Sequence, residues 1–269
     1  MFRKKKRRKL ARIPAGRLLI RAITLTDAGC VRQNNEDRAA FLFMDGSKTD
    51  FFAVLADGMG GYERGEVASA MMVETVCNDN GRSLNRKPEQ WLAAMISRAN
   101  SRIYGQTQEC RSVMGTTCSM LLIRGGEAWC AHVGDSRLYL LTDGVFRQLT
   151  ADHTVVMEML RRGGITPAEA AGHPQRNVLT AAIGTASQVK PDIFRITDAI
   201  RAGSRFLLCS DGLHDRVADA EIRRLLEMKS LKTAAAALVD SARKNGGYDN
   251  ITVVLVEINE KTGHSFFEE

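Results

Sequence analysis

Two apolar runs that each end on Asp-Gly constrain the fold of this chain more than any other feature. Residues 51–56 are continuously apolar and lead directly into Asp57-Gly58. Residues 206–210 lead in the same way into Asp211-Gly212. Runs of five or six residues of this kind are typical of buried strands. They predict two buried strands in a chain that, at 269 residues, is long enough to bury a sizeable core.

Further acidic residues lie at strand-like runs elsewhere in the chain. Asp135 follows an apolar run, Asp249 precedes the last one, and Glu36-Asp37 precede residues 39–44. A carboxylate at the end of a buried strand is costly unless something pairs with it, and several that converge would repel one another. Multivalent cations are the natural partners, and all-oxygen ligands favour Mg²⁺, Mn²⁺ or Ca²⁺ over Zn²⁺. Because Asp-Gly also marks ordinary turns, the pattern by itself indicates a candidate metal site and nothing finer.

Strand-like and helix-like segments follow one another along most of the chain. Asp143-Gly144, between two apolar pairs, predicts a hairpin, and residues 163–176 predict an exposed loop or flap with little core. The pattern therefore favours a single domain of mixed α and β structure. The predicted strands are 17–26, 51–56, 118–123, 128–133, 205–209 and 251–258, and the predicted helices are 65–78, 88–108, 153–162, 219–228 and 231–244.

The net charge of +7 is concentrated in one terminal segment. Residues 1–12 carry eight basic residues and no acid, so the remainder of the chain has a net charge of about −1. Such an arm is expected to be disordered when free, and it could bind an anionic membrane or the phosphates of nucleic acid. A solvated tail, or a start codon placed too early, would give the same sequence.

Neither a membrane span nor a secretory signal is predicted. No apolar run approaches the ~18–20 residues needed to cross a bilayer. The six cysteines are scattered without a C-x-x-C pair, which favours reduced, packed thiols. We expect a cytoplasmic protein, with peripheral contact at the inner membrane surface through residues 1–12 as an alternative.

Seven short motifs occur in order over about residues 24–258. They are Asp27-x-Gly29-x-x-Arg32-x-x-Asn35-Glu36-Asp37, Ala56-Asp57-Gly58-Met59-Gly60-Gly61, Met114-Gly115-Thr116-Thr117, His132-Val133-Gly134-Asp135-Ser136-Arg137, Leu149-Thr150-Ala151-Asp152-His153, Cys209-Ser210-Asp211-Gly212-Leu213 and Asp249-Asn250-Ile251-Thr252. Taken together and in this order, they resemble the protein phosphatase 2C family, the metal-dependent serine/threonine phosphatases, in its bacterial form.

The resemblance implies an α+β fold, with a central antiparallel β-sandwich flanked by helices in four αββα layers. It places the active site at one end of the sandwich. Together with the charge pattern, it predicts a basic arm at 1–16, a catalytic domain at 17–259 with a flap at about 155–178, and a tail at 260–269.

The resemblance also implies roles for the acidic residues. Asp57 bridges two metals, Asp211 and Asp249 hold the first metal, and Glu36 and the carbonyl of Gly58 hold the second. The implied metals are Mn²⁺ or Mg²⁺, two per chain, with a third and weaker one possible in bacterial members.

Three more residues take implied roles at the same site. Asp37 orders metal-bound water, Asp135 joins Asp211 at the third metal, and Arg32 grips the substrate phosphate. The implied reaction is dephosphorylation of phosphoserine and phosphothreonine in proteins, by direct attack of a metal-bridging hydroxide without a phospho-enzyme. Phosphorylated proteins, and a bacterial Ser/Thr kinase with its substrates, are the implied partners in signalling.

Two departures from the family pattern leave questions open. Met59 stands where some eukaryotic members have a histidine proposed as the acid for the leaving group, so that acid is not identified, and water on the third metal is one candidate. Ala181 stands where the family usually has an arginine. His132 and His153 are interpreted as structural. A catalytically dead, phosphoprotein-binding relative is the rival hypothesis, but every expected carboxylate is present.

Overall fold

The computed structural model describes residues 18–44, 49–60, 64–79, 86–110, 112–197 and 200–261. The predicted basic arm at 1–16 and residues 262–269 of the predicted tail lie outside the described residues.

Eleven described strands form two antiparallel sheets. One sheet has the strand order β1-β11-β10-β7-β8, and the other has the order β2-β3-β5-β6-β9, with β4 paired to β3. The strands are β1 Leu18–Asp27, β2 Asp37–Phe43, β3 Phe51–Gly60, β4 Met114–Thr116, β5 Cys118–Arg124, β6 Glu127–Val133, β7 Arg137–Thr142, β8 Val145–Gln148, β9 Asp192–Ile196, β10 Arg205–Cys209 and β11 Ile251–Glu260.

Helices cover the outer faces of both sheets. Helices α1 and α2 pack on the sheet that contains β3, and α5, α6 and α7 pack on the sheet that contains β10. The helices are α1 Arg64–Asp79, α2 Pro88–Cys110, α3 Val155–Arg161, α4 Pro167–Ala171, α5 Asp211–His214, α6 Asp219–Leu226 and α7 Leu231–Lys244. The expected α+β sandwich with four αββα layers is confirmed.

The alternation of β3 explains why its sequence is continuously apolar. Phe51, Ala53 and Leu55 point into the core between the two sheets. Phe52 and Val54 point to the opposite face, where they pack with Trp91 of α2 and its neighbours. Because both faces of this strand are buried, neither needs polar residues.

Most predicted elements are confirmed, with ends that shift by a few residues. The hairpin at Asp143-Gly144 joins β7 to β8, and helix α7 spans the predicted residues 231–244. The predicted loop at 163–176 is largely exposed but contains the short helix α4. Its local signal is a capping box, in which Thr166 and Glu169 bond to each other's backbone amides, with Pro167 in the first turn.

Strand β9 and helix α5, like helix α4, were not predicted from the sequence. Strand β9 is short and has three polar or half-exposed positions at its start, so its alternation is weak. Helix α5 has only four residues, too few for a periodic signal, and it makes Asp211 the first helical residue after β10.

Three cysteines agree with the reduced, packed interpretation. Cys118, Cys130 and Cys209 are free thiols buried in the core, whereas the free thiol of Cys30 is exposed. Within those ranges, no helix is both long and apolar enough to cross a membrane.

Candidate active site

Strand ends from both sheets bring the predicted carboxylates to one end of the sandwich. Asp37 opens β2 and stands directly opposite Asp57 of β3 in the antiparallel register. Asp211 follows β10, and Asp249 lies just before β11, the neighbour of β10 in the second sheet.

A hydrogen bond between the sheets fixes the relative position of these strand ends. The Oγ of Ser210 donates to Oδ2 of Asp37 at 2.7 Å. The same oxygen accepts from the backbone amide of Thr252 at 3.0 Å. Ser210, the N-cap residue of α5 directly before Asp211, therefore links Asp37 of one sheet to β11 of the other.

Two threonines hold the backbone around Asp57: Thr116 is the last residue of β4, and Thr117 follows it. The carbonyl of Asp57 accepts from the backbone amide of Thr117 at 2.9 Å and from Oγ1 of Thr116 at 2.8 Å. The amide of Asp57 donates to Oγ1 of Thr117 at 3.0 Å. These three bonds hold the main chain of Asp57 in place, so that only its side chain remains free to adjust.

Glu36 and the carbonyl of Gly58 approach a common point. A Cβ atom at Gly65 would lie 2.5 Å from Oε2 of Glu36 and 2.8 Å from the carbonyl oxygen of Gly58. A Cβ atom at Gly58 would lie 2.1 Å from the carbonyl oxygen of Gly65. Both glycines are therefore required for a close approach, which places one carboxylate oxygen beside one backbone oxygen.

The carboxylates form one electrostatic group, named here the Asp57 cluster. Burial, followed by repulsion from the other members, raises the pKa values of Asp57 and Asp211 well above the ordinary range. Burial also raises the pKa of Asp37 to about 6 and the pKa of Asp135 to about 7. A cation bound among these carboxylates would offset their mutual repulsion and lower their pKa values. The cluster consists of Asp37, Asp57, Asp135, Asp211 and Asp249.

The donors of the Asp57 cluster fit a hard divalent cation. They are all oxygens, and Oδ1 of Asp37 is buried without a hydrogen-bond partner among the described residues. In the described ranges, however, no three side chains of the Asp, Glu, His or Cys types are arranged so that they could hold one ion. Asp249 is instead bonded to Arg32, and Asp37 to Ser210. The complete ligand set therefore stays a prediction.

Arg32 lies at the exposed rim of the site, bonded to a predicted metal ligand. Its Nη2 donates to Oδ2 of Asp249 at 2.8 Å, and this bond raises the pKa of Arg32. Asp211 and Glu36 are near enough to contribute to the same shift. The loop that carries Arg32 is closed by Gly29, whose φ of +81° and close approach to the carbonyl of Asp249 exclude a side chain. The predicted phosphate-binding residue therefore does lie beside the predicted ligands.

Asn250 lies in the last of the seven motifs, and no role was predicted for it from the sequence. Its Nδ2 donates to the carbonyls of Ala28 at 3.1 Å and Asn34 at 2.8 Å. Its Oδ1 accepts from the backbone amide of Glu36 at 2.8 Å. One side chain thus fixes the loop that carries both Arg32 and Glu36. The signal available in the sequence was an amide directly after a predicted ligand, and a buried amide needs partners for its donors and its acceptor.

Asp135 lies beside α5 and is held there through its backbone. Nε2 of His214 donates to the carbonyl of Asp135 at 3.1 Å. Repulsion from Asp135 is the largest contribution after burial to the raised pKa of Asp211, so the two carboxylates lie close together. Arg137 of the same motif binds Asp152 through both carboxylate oxygens at 2.6–3.1 Å, a largely buried pair that ties the start of β7 to the segment before α3.

The remaining predicted features lie around the rim or in the core. The flap contacts α5 through an ion pair between Arg176 and Asp215 at 3.3 Å. His132 bonds Ser119 at 3.0 Å in the buried core, where burial lowers its pKa to about 4. His153 accepts from the amide of Gly134 at 3.2 Å. These contacts agree with structural roles for both histidines.

Comparison with known proteins identifies close relatives over nearly the whole described chain. Residues 30–255 match the family model for protein phosphatase 2C. Protein phosphatase PhpP of Streptococcus pneumoniae serotype 2 (strain D39 / NCTC 7466) is 37% identical over 243 residues, which cover 88% of this chain and 97% of the relative.

Solved structures give the same result in three dimensions. The crystal structure of the Mycobacterium tuberculosis serine/threonine phosphatase PstP/Ppp has 36% identity and a TM-score of 0.81, over 90% of this chain and 99% of that chain. The catalytic domain of PstP, solved in complex with two manganese ions, has 34% identity and a TM-score of 0.77 over the same shares of both chains.

Proposed function

The chain belongs to the protein phosphatase 2C family of serine/threonine protein phosphatases, and from that premise we propose that it dephosphorylates phosphoserine and phosphothreonine with divalent cations held by the Asp57 cluster. The observation that carries the proposal is the raised pKa of Asp57 and Asp211 at the meeting point of two sheets. A chain keeps such a costly set of acids where a cation offsets their repulsion. The proposed metals are two Mn²⁺ or Mg²⁺ ions, with a third, weaker one at Asp135 and Asp211.

Each predicted ligand is proposed for the role that the resemblance gave it. Asp57 would bridge two cations, with Asp211 and Asp249 on one, and Glu36 and the carbonyl of Gly58 on the other. When bound, such cations would supply a water molecule of lowered pKa as the nucleophile. The shared approach of Glu36 and Gly58 to one point supports the second of these positions.

The protein's own groups have separate tasks in this reaction. Arg32 would bind two phosphate oxygens through its planar guanidinium, which is exposed and pairs with Asp249. Asp37 would orient the attacking water, since its Oδ2 is fixed by Ser210 and its Oδ1 is left without a partner among the described residues. In-line attack needs this positioning, because phosphoryl transfer depends mainly on orientation and charge stabilisation.

No covalent phospho-enzyme is needed. Cys209 is the thiol nearest in sequence to a predicted ligand, and burial raises its pKa, so the thiol stays protonated and points into the core. Direct hydrolysis by water is therefore the proposed route. The acid for the leaving alkoxide is not assigned, since Met59 is unable to donate a proton.

The physiological substrates are proposed to be proteins phosphorylated by a bacterial Ser/Thr kinase, which this phosphatase would oppose. The catalytic domain is proposed to span 17–259. Residues 1–12 are proposed to contact an anionic surface, at the inner membrane or on nucleic acid, from a cytoplasmic location.

Hydrolysis and metal content should be measured together on the purified full chain. We expect turnover of a phosphothreonine peptide with Mn²⁺ or Mg²⁺, loss of turnover in EDTA, and recovery when metal is added back. Asp57→Asn should lose both metal and turnover, whereas Asp240→Asn, the same change on the exposed face of α7, should keep both. Full activity after exhaustive chelation would contradict the proposal.

A further inference from the structure

Tyr248 is an exposed aromatic residue held in a fixed position at the edge of the candidate site. It directly precedes Asp249 in the chain, and 55% of its surface is exposed. The guanidinium carbon of Arg216 lies 4.4 Å from the centre of its ring. The ring also packs on Gly246, where a Cβ atom would lie 2.3 Å from the ring. Tyr248 and Arg216 together are named here the Tyr248 platform.

The backbone of Arg216 is anchored through both its amide and its carbonyl. The amide of Arg216 donates to the carbonyl of Leu213 at 3.0 Å, and its own carbonyl accepts from Nδ2 of Asn245 at 2.8 Å. This second bond ties the loop after α5 to the loop after α7. Asp211 is the first residue of α5, and Asp249 lies in the loop after α7, so the platform adjoins the elements that carry two predicted ligands.

The platform also adjoins the loop that carries Arg32. The amide of Cys30 donates to the carbonyl of Gly247 at 2.7 Å, which places the 29–32 loop beside Tyr248. Nη2 of Arg32 donates to Asp249, the residue after Tyr248, at 2.8 Å. When Arg32 binds the phosphate of a phosphopeptide, the peptide residues next to the phosphorylated side chain would therefore lie close to the platform.

The charge of Arg216 is not neutralised by a carboxylate within the described residues. The other arginines around this rim are paired: Arg32 with Asp249, Arg176 with Asp215, and Arg243 with Asp27. Arg216 faces the ring of Tyr248 instead, an interaction that orients a guanidinium while leaving its positive charge available. An oriented cation beside a half-exposed ring suits a ligand that carries both an acidic group and apolar atoms.

We propose that the Tyr248 platform binds residues that flank the phosphorylated side chain, and that it makes the enzyme prefer phosphopeptides with an acidic residue next to the phosphoserine or phosphothreonine. Arg216 would pair with the acidic side chain, and the ring of Tyr248 would pack against the aliphatic part of the peptide. This inference rests on the proposed phosphatase function and names the substrate class of that same site.

The test measures preference rather than absolute activity. Phosphothreonine peptides should carry Asp, Asn or Lys at the residues flanking the phosphothreonine, in one set on its N-terminal side and in another on its C-terminal side. The readout is the ratio of kcat/KM for the Asp peptide to that for the Lys peptide within each variant. Because the concentration of active enzyme cancels in this ratio, partial misfolding of a variant does not change it.

Wild-type protein should prefer the Asp peptide in at least one set. Arg216→Ala should reduce that preference about fivefold, the upper range for an exposed ion pair. Arg216→Glu should reverse it in favour of the Lys peptide, and Tyr248→Ala should reduce it because the guanidinium loses its support. Tyr248→Phe retains the ring and should keep it. Arg224→Ala removes the same charge from the exposed face of α6 and is the matched control, which should keep the wild-type ratio.

Two different failures are distinguishable. Absence of turnover on every phosphopeptide with Mn²⁺ would overturn the proposed function. Turnover with equal kcat/KM for Asp and Lys peptides in both sets, or an unchanged ratio in Arg216→Glu, would leave the function intact and overturn the platform as a specificity site.

Discussion

Ser210 donates a hydrogen bond to Asp37 at 2.7 Å, and this bond joins the two sheets at the end of the sandwich where the carboxylates meet. The two residues are 173 positions apart in the chain. The hydroxyl of Ser210 also accepts a hydrogen bond from the backbone amide of Thr252, so one side chain joins the ends of β2, β10 and β11. The geometry of the Asp57 cluster therefore depends on how the sheets stack, and its charges make that stacking sensitive to protons and cations.

The metal-free protein should become less stable as the pH rises. The pKa is about 6 for Asp37 and about 7 for Asp135 in the folded protein, above the value of about 3.9 for an unfolded aspartate. Between about pH 4 and 7 the folded state thus binds more protons than the unfolded state, and its stability falls with increasing pH. Thermal unfolding in EDTA from pH 5 to 8 should show this fall. Saturating Mn²⁺ should abolish or invert this fall in stability. A flat profile in EDTA would contradict the raised pKa values of Asp37 and Asp135.

Removal of a central carboxylate should separate activity from stability. Asp57→Asn and Asp211→Asn, like the corresponding alanine variants, should lower kcat by about 100-fold or more, the scale of a lost preorganised electrostatic contact. In EDTA, the same asparagine variants should unfold at a higher temperature than wild type, because each removes a charge that repels its neighbours. Normal turnover and normal metal content in Asp57→Ala would show that the residue assignment is wrong.

Arg32 should contribute to phosphate binding and not to metal retention. Arg32→Ala removes a charge-assisted contact, and we expect KM to rise about tenfold or more on a small aryl phosphate. Bound metal, measured after gel filtration, should equal that of wild type. Arg32→Lys keeps the charge without the planar fork and should recover only part of the loss. A variant that loses metal in proportion to activity would show that Arg32 acts through Asp249.

Asn250 should be necessary for the loop geometry around Glu36. Asn250→Ala leaves the amide of Glu36 and two carbonyls without their present partner, at an expected cost of about 1–3 kcal/mol in unfolding free energy. Titration with Mn²⁺ should also show weaker binding, since the second proposed cation position includes Glu36. Asn259→Ala, near the opposite end of the same strand, is the matched control and should retain wild-type metal affinity.

Deletion of residues 1–12 should leave the catalytic constants on a small phosphate unchanged, because the segment lies outside every motif. It should weaken binding to anionic vesicles or duplex DNA, since each basic residue gains about 1 kcal/mol near an anionic membrane and salt screens that gain. Co-sedimentation at low and high salt, with neutral vesicles as the control, and a gel shift would measure the effect. Equal binding by both proteins would reduce the arm to a solvated tail.

Much of the fold could be predicted from local patterns. The continuous run at 51–56 predicted a buried strand, and β3 is buried on both faces there. Asp143-Gly144 predicted the hairpin that joins β7 to β8. Helix α5 was missed because four residues leave no periodicity, and β9 because its polar start hides the alternation.

The sequence by itself determined which chemical groups are present and which strands they follow, because periodicity and turn chemistry act between residues that are close in the chain. Only the tertiary structure decided that Ser210 bonds Asp37, that Asn250 holds the Glu36 loop, and that Arg216 faces Tyr248. Each of these pairs depends on how separate strands and loops come together when the sandwich forms. No local sequence pattern predicts that arrangement, because it depends on both sheets burying their inner faces against each other and their outer faces under helices.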